Sequence, residues 1–237
     1  MAISLSISNW SGWIQQQPLA VLVTSNHITR STLPDVADIP AMLRRRLNLP
    51  GRAAAAQAMK LLAGKNDTAI VYGSRHGDIE RTLGILKDIA DDNPVSPMHF
   101  SLSVHNAIPG VISIHGGITA NISSIVAGEE GVLPVLFEAA GLLSEGYRHV
   151  LCIICDVALP DIYRFGSDNL DDCFAVCFVV TADEGLALRL KYESTAANDV
   201  ADMPEKPSPL LFAEFLEADV RTMPIRHNNA CWLLHKQ

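Results

Sequence analysis

Residues 132–145 constrain the fold more than any other segment. Val132, Leu133, Val135, Leu136, Phe137, Ala139, Ala140, Leu142 and Leu143 place apolar side chains nearly all the way round a helix. A helix without a polar face has to be covered on every side, so it belongs at the centre of a layered domain. Pro134 is compatible with this, because the first turn has no intrahelical N–H bond to lose. Residues 121–127 just before it are β-rich and open onto Gly128-Glu129-Glu130-Gly131. A strand, a glycine turn and a buried helix in succession are the signature of an α/β layer.

The rest of the chain supplies the layer. Residues 150–155 and 173–181 are apolar runs of strand length. Residues 3–9 alternate apolar and polar, the period of a half-buried strand, and Trp10-Ser11-Gly12-Trp13 breaks that pattern. Residues 20–24 form a short second extended piece, and 68–72 a buried strand ending in Gly73-Ser74. Helices are expected over 41–63 with a kink at Pro50-Gly51, over 78–90, and over 104–114. Strands alternating with helices predict an α/β sheet sandwiched by helices. After residue 185 the expectation is a surface loop over 191–209, a short helix over 210–216, and a terminal strand or turn over 230–234.

Composition removes several functions. Hydrophobic residues are 49% and charged residues 19% of the 237, the balance of a globular chain. A net charge of −8 argues against a nucleic-acid-binding face. Arg44-Arg45-Arg46, with Arg52 nearby, reads first as a solvated helix face; as a patch it would steer an acidic carrier protein. No apolar run approaches the roughly 20 residues of a membrane-spanning helix. The start of the chain lacks a positively charged leader, and five cysteines suit a reducing compartment, so the expected location is cytoplasmic.

Three constellations carry possible chemistry. Cys152 and Cys155 have CxxC spacing but lie inside an apolar strand, where i and i+3 point to opposite faces. Cys173 and Cys177 share a strand face and are too far apart to bond, so all four read as core, and no zinc-ligand set is visible. Gly73-Ser74-Arg75-His76-Gly77 joins a strand to a helix and could hold an anion, although a structural turn is the better reading. The turn at 127–131 presents its residues at a helix N-terminus, where a nucleophile would gain from the dipole. It holds neither Cys nor Ser. Glu129 and Glu130 are either favourable first-turn acids or the remains of a nucleophile site, and the residues alone leave both readings open.

The order of these segments resembles the N-terminal half of β-ketoacyl synthases. Residues 3–12 are similar to the family's opening strand, and 68–74 to its second strand with a glycine turn. Ser96-Pro97 and residues 103–114 resemble the family's P-N-A-x-x-G-x-I-S-I helix, and 127–131 stands where active enzymes have A-C-x-S-G. The stretches 74–83 and 100–107 are similar to short ketosynthase-like proteins of aryl polyene clusters, which act as chain length factors. This resemblance implies a thiolase-like αβα half with a five-stranded mixed sheet, spanning 1–185, and a truncated C-terminal half reduced to 186–237.

It also implies a role. Gly128 replaces the nucleophile, and the family's two histidines have no counterpart in context. The resemblance therefore points to a non-catalytic subunit without cofactor or metal, paired with a β-ketoacyl synthase and served by an acyl carrier protein. The interface would be Thr119, Ala120, Asn121, Ile122, Ser123, Ser124, Ile125 and Val126. Ser103, His105, Asn106, Ile125 and Phe137 would wall the acyl tunnel. Two alternatives remain open: a stand-alone acyl-thioester hydrolase or decarboxylase using Glu129 or Glu130, and a carrier-protein-binding module using Arg44–Arg46.

Overall fold

A computed structural model describes residues 2–16, 23–128, 131–163, 173–193, 208–227 and 230–237. These build one mixed sheet with helices on both faces. β1 (Ala2–Gln15) is long because it serves several neighbours. Residues 6–14 pair antiparallel with β6 (Phe174–Thr181), with a bulge between Ile7 and Asn9, and residues 2–7 pair antiparallel with β7 (Leu186–Glu193), so Ser6 and Ile7 serve both ladders. Residues 12–15 also pair in parallel with β2 (Ile28–Ser31). The strand thus runs straight through Trp10-Ser11-Gly12-Trp13, where the sequence pattern predicts a break. Gly12 is the reason: a Cβ there would collide with Ile28 Cδ1 and stand 2.9 Å from the Ala175 carbonyl oxygen.

β3 (Ala69–Ser74) lies between β4 (Ile122–Val126) and β5 (Val150–Asp156), parallel to both. β5 pairs antiparallel with β6. The order β4-β3-β5-β6-β1 is the expected five-stranded mixed core. The sheet then runs on through β7, β9 (Ala230–Lys236) and β8 (Thr222–His227), so the described part of 186–237 extends the same sheet.

Strand alternation sends the core to two sides. On one face Val150, Cys152 and Ile154 of β5 and Phe174, Val176 and Phe178 of β6 pack against α6 (Val132–Ser144) and α7 (Ser208–Glu217). On the other, Leu151, Ile153 and Cys155 with Ala175, Cys177 and Val179 pack against α2 (Leu49–Leu62) and α5 (Ala107–Gly116). Small side chains at Ala53, Ala54, Ala55 and Ala58 let α2 lie close to the sheet, and Cys177 Sγ comes within 3.7 Å of the Ala54 carbonyl oxygen. Removing one large buried side chain from such a core costs about 2–5 kcal/mol.

Local capping accounts for the remaining differences from expectation. The single kinked helix over 41–63 is two helices, α1 (Ala41–Arg44) and α2. Asn48 Oδ1 accepts a hydrogen bond from Gly51 N (2.9 Å) and Pro50 sits in the first turn, so the chain restarts a helix there. The helix expected from 104 begins at Ala107; before it, Ser96 caps α4 (Pro97–Ser103). α3 (Ile79–Ala90) is capped by Asp78, whose Oδ1 accepts from Arg81 N (3.2 Å). Residues 20–22 of the expected second extended piece lie outside the described residues, and Val23 and Thr24 are irregular. The loop expected over 191–209 begins later, since β7 continues to Glu193.

Candidate functional site

The site is the set of turns at the C-terminal ends of β3, β4 and β5. Ala127 N donates to Ser74 O (3.0 Å), continuing the β3–β4 ladder by one residue. Gly128 (φ 59°) and Gly131 (φ 45°) then take left-handed conformations that favour glycine. Gly131 is also hemmed in, because a Cβ would meet the Pro209 ring at 3.0 Å. Val132 N, at the start of α6, donates to Ser208 Oγ (3.4 Å). The first residues of α7 therefore cover the N-terminus of α6 beside the turn. Glu129 and Glu130 lie outside the described residues.

The neighbouring 74–77 turn has an occupant for its donors. Asp156, at the end of β5, accepts from Ser74 Oγ (2.7 Å) and Arg75 N (2.8 Å) through Oδ1. Ser74 Oγ in turn accepts from Gly77 N (2.8 Å). The carboxylate of Asp156 fills the nest, which is the structural reading of Gly73–Gly77. Burial raises the Asp156 carboxyl to about 6, against the lowering effect of these hydrogen bonds. Sequence reasoning missed this group. Its signal was a carboxylate placed directly after the apolar run 150–155.

His105 links the α4–α5 junction to β4, with Nε2 donating to the Ile125 carbonyl (2.8 Å). Its ring meets Tyr72 edge-on at 5.4 Å. Tyr72 OH lies 3.5 Å from Cys155 Sγ, and burial pushes the phenol well up. Ser103 and Asn106 flank His105 in the chain: Ser103 Oγ donates to Phe100 O within α4 (2.8 Å), and Asn106 is exposed. Phe137 is not part of this group. It packs on the opposite face of the sheet, against Trp232 at 5.0 Å.

The cysteines belong to the core. All five are free and buried, and burial pushes the Cys152, Cys155 and Cys177 thiols up. Cys152 and Cys155 face opposite cores, as their spacing on a strand predicts. Arg45 and Arg46 are exposed, while Arg52 Nε donates to the carbonyls of Arg44 (3.0 Å) and Leu47 (3.1 Å). Among the described residues, no helix is long and apolar enough to cross a membrane.

The surface beside these turns is apolar. Among the described residues β4 pairs only with β3 and is the edge of the sheet. Val126 is 71% exposed and Ile122 sits at 36%. Met98 and Phe100 on α4, Val104 just after it and Ile114 on α5, the helix that contacts β4, are also exposed, with Phe100 at 61% and Ile114 at 67%. Of the expected interface residues, Thr119, Asn121, Ile122 and Val126 are exposed; Ala120, Ser123, Ser124 and Ile125 are half-buried. Ser123 Oγ is held by Glu138 Oε1 (2.7 Å) on α6.

On the far side, the tail is fastened by two carboxylates of α7. Glu214 Oε1 accepts from Thr24 N (2.7 Å). Glu217 accepts from Ser25 Oγ, Asn26 N (3.0 Å), His27 N (3.2 Å) and His27 Nδ1 (2.7 Å). These hydrogen bonds outweigh partial burial and lower the Glu217 carboxyl to about 2.

A mixed sheet in this order, with the glycine turn between edge strand and buried helix, is a thiolase-like α/β fold. Residues 10–233 match the family described as beta-ketoacyl synthase, N-terminal domain, and the chain belongs to that family. It is similar to a chain in the solved structure of the ketosynthase ApeO in complex with its chain length factor ApeC from Xenorhabdus doucetiae. The identity is 26% and the TM-score 0.81, covering 98% of this chain and 99% of that one. The ishigamide ketosynthase/chain length factor shares the fold at 14% identity and TM-score 0.61, over 83% of this chain and 69% of that one. So does AntDE:AntF, a type II polyketide acyl-carrier protein in complex with its ketosynthase. There the identity is 14% and the TM-score 0.55, over 76% of this chain and 62% of that one. No curated protein matches the sequence.

Proposed function

We propose that this chain is a non-catalytic chain length factor subunit. It heterodimerises with a β-ketoacyl-carrier-protein synthase and shapes that enzyme's acyl tunnel in aryl polyene, polyketide or fatty-acid-like synthesis. The observation that carries this reading is the open β4 edge with its exposed apolar surroundings. A five-residue strand edge that exposes Val126, beside a helix that exposes Ile114, is a surface that calls for a partner. The similarity to a chain of a ketosynthase–chain length factor complex, over nearly the whole length, supports a partner of that kind. Buried thiols and Gly128 in the glycine turn support assigning no nucleophile to this subunit.

In this reading the partner supplies the cysteine thiolate and histidines, and an acyl carrier protein delivers the substrates. Arg45 and Arg46 offer that acidic carrier a cationic corner. His105, fastened to the Ile125 carbonyl beside the edge, is the best placed wall residue, with Ser103 and Asn106 next to it. Phe137, turned towards Trp232, serves the tail side. The test is condensation of acyl and malonyl thioesters by the chain alone, by a β-ketoacyl synthase from the same source, and by the pair. The pair should make long products that neither makes alone. Condensation or thioester hydrolysis by the isolated chain, lost in Glu129→Gln or Glu130→Gln, would replace this reading with that of an independent enzyme.

A further inference from the structure

A cavity of about 310 Å³ lies where β3 and β5 begin, at the end of the sheet remote from the glycine turns. Its volume falls in the range of small-molecule sites. Three local features shape it. The bulge in β1 leaves Ser8 without a partner on β6, next to Asn9. α2 stops at Leu62, and Ala63 takes a left-handed conformation (φ 44°) that ends the helix. Thr68 and His149 stand immediately before β3 and β5.

The lining is rich in donors. Lys60 and Lys65 are exposed, and among the described residues neither forms an ion pair. Asn9 Oδ1 accepts from Trp10 N (2.9 Å), which leaves the amide Nδ2 as a donor. Thr68 is only 3% exposed, yet among the described residues its hydroxyl has no hydrogen-bond partner. Buried hydroxyls are ordinarily satisfied, and this one borders the cavity. Against these donors stands one carboxylate, Glu184, whose Oε2 is 3.6 Å from His149 Nε2 and whose side chain is 67% exposed. The dipole of α2 favours a cation in its last turn and so accounts for Lys60. It accounts neither for Lys65, which lies beyond the helix, nor for the Thr68 hydroxyl. In a chain of net charge −8, such a recess is an electropositive exception.

We propose that this cavity binds a small phosphate monoester, with the phosphate among Lys60, Lys65 and the Thr68 hydroxyl and the organic group against Leu61 and Val179. A dianion engages both ammonium groups in charge-assisted hydrogen bonds, and its remaining lone pairs accept from Thr68 Oγ1 and Asn9 Nδ2. The site involves neither β4 nor a partner subunit, so it goes beyond the heterodimer reading and stands or falls apart from it.

Calorimetric titration of the full chain with inorganic phosphate and with phenyl phosphate, at fixed ionic strength, tests this. Both should bind saturably at one site, phenyl phosphate the more tightly. Lys60→Gln with Lys65→Gln should weaken both by about 100-fold, and Thr68→Val by about tenfold. Lys87→Gln with Arg221→Gln, which removes two exposed cations elsewhere, should change neither. The Lys60/Lys65 variant alters only exposed side chains, so its melting temperature without ligand should match the wild type. Absence of saturable binding, or an equal loss in the Lys87/Arg221 variant, overturns the site. Vesicles of phosphatidic acid in phosphatidylcholine should not capture the chain. Capture that is lost in the Lys60/Lys65 variant assigns the phosphate to a lipid headgroup and overturns the small-molecule ligand.

Discussion

The two ends of the sheet are finished in opposite ways. β8 closes one end and carries Pro224, a residue without an N–H, in the middle of its outer strand. That is a common way to prevent a further strand from adding. β4 closes the other end with no proline, no charged side chain and two exposed β-branched residues, Ile122 and Val126. Two carboxylates fasten turns further in: Asp156 at the end of β5 holds the turn after β3, and Glu217 on α7 holds residues 25–27 ahead of β2. The difference teaches that one edge carries a block to a further strand and the other, among the described residues, carries none.

Charging the open edge should give the largest effect. Ile122→Asp with Val126→Asp is expected to weaken ketosynthase binding by at least about 100-fold, roughly 3 kcal/mol, as buried uncompensated charge demands. Because both side chains are exposed in the isolated chain, its melting temperature should barely move. Calorimetric titration and thermal unfolding read the two quantities separately.

Behind that edge, Asp156→Ala should cost about 2–3 kcal/mol in urea unfolding, since the Ser74 hydroxyl and Arg75 N–H lose their acceptor. Asp156 also has a pH signature. Its folded pKa of about 6 lies above the unfolded value of 3.8, so ionisation disfavours the fold. This group's contribution is most favourable below about pH 4 and declines as pH rises towards 6. The stability of Asp156→Asn relative to wild type should therefore improve across that window by about 2 kcal/mol.

Glu217 has the opposite sign. Its carboxyl is lowered from 4.5 to about 2, so its stabilisation is present above pH 4.5 and is lost as pH falls towards 2. Partial exposure reduces the effect to about 1 kcal/mol. Glu217→Gln should flatten the acid limb of a pH–stability curve and leave the Asp156 window unchanged. The smallest effect is expected at the closed edge. Pro224→Val restores an outward N–H to β8 and should promote weak self-association, visible by light scattering, without changing ketosynthase affinity.

The same contrast explains what the sequence could say. The central strands were legible because 150–155 and 173–181 are buried on both faces and hence apolar throughout. The edge strand 122–126 and the helix after it were legible through β-branched residues and the glycine turn. β7 carried a readable alternation in Leu188-Arg189-Leu190-Lys191, hidden by its place in a polar tail. α4 was obscured by the prolines around it, and the α1–α2 break by a cap residue, Asn48, that reads as helix interior. The Asp156 nest and the Glu217 clamp join residues about 80 and 190 positions apart, a separation that no local pattern encodes. At the candidate site, Gly128 and His105 were named from sequence, but the bond from His105 to the edge-strand carbonyl is a product of the fold.

The central claim is that β4 is half of an interface whose other half is a ketosynthase. Size-exclusion chromatography with light scattering on the co-expressed pair tests it most directly. The account predicts a stable one-to-one assembly, abolished by Ile122→Asp with Val126→Asp and unaffected by Pro224→Val. A wild-type chain that elutes alone beside its ketosynthase, or a pair that survives the charged edge intact, would contradict it.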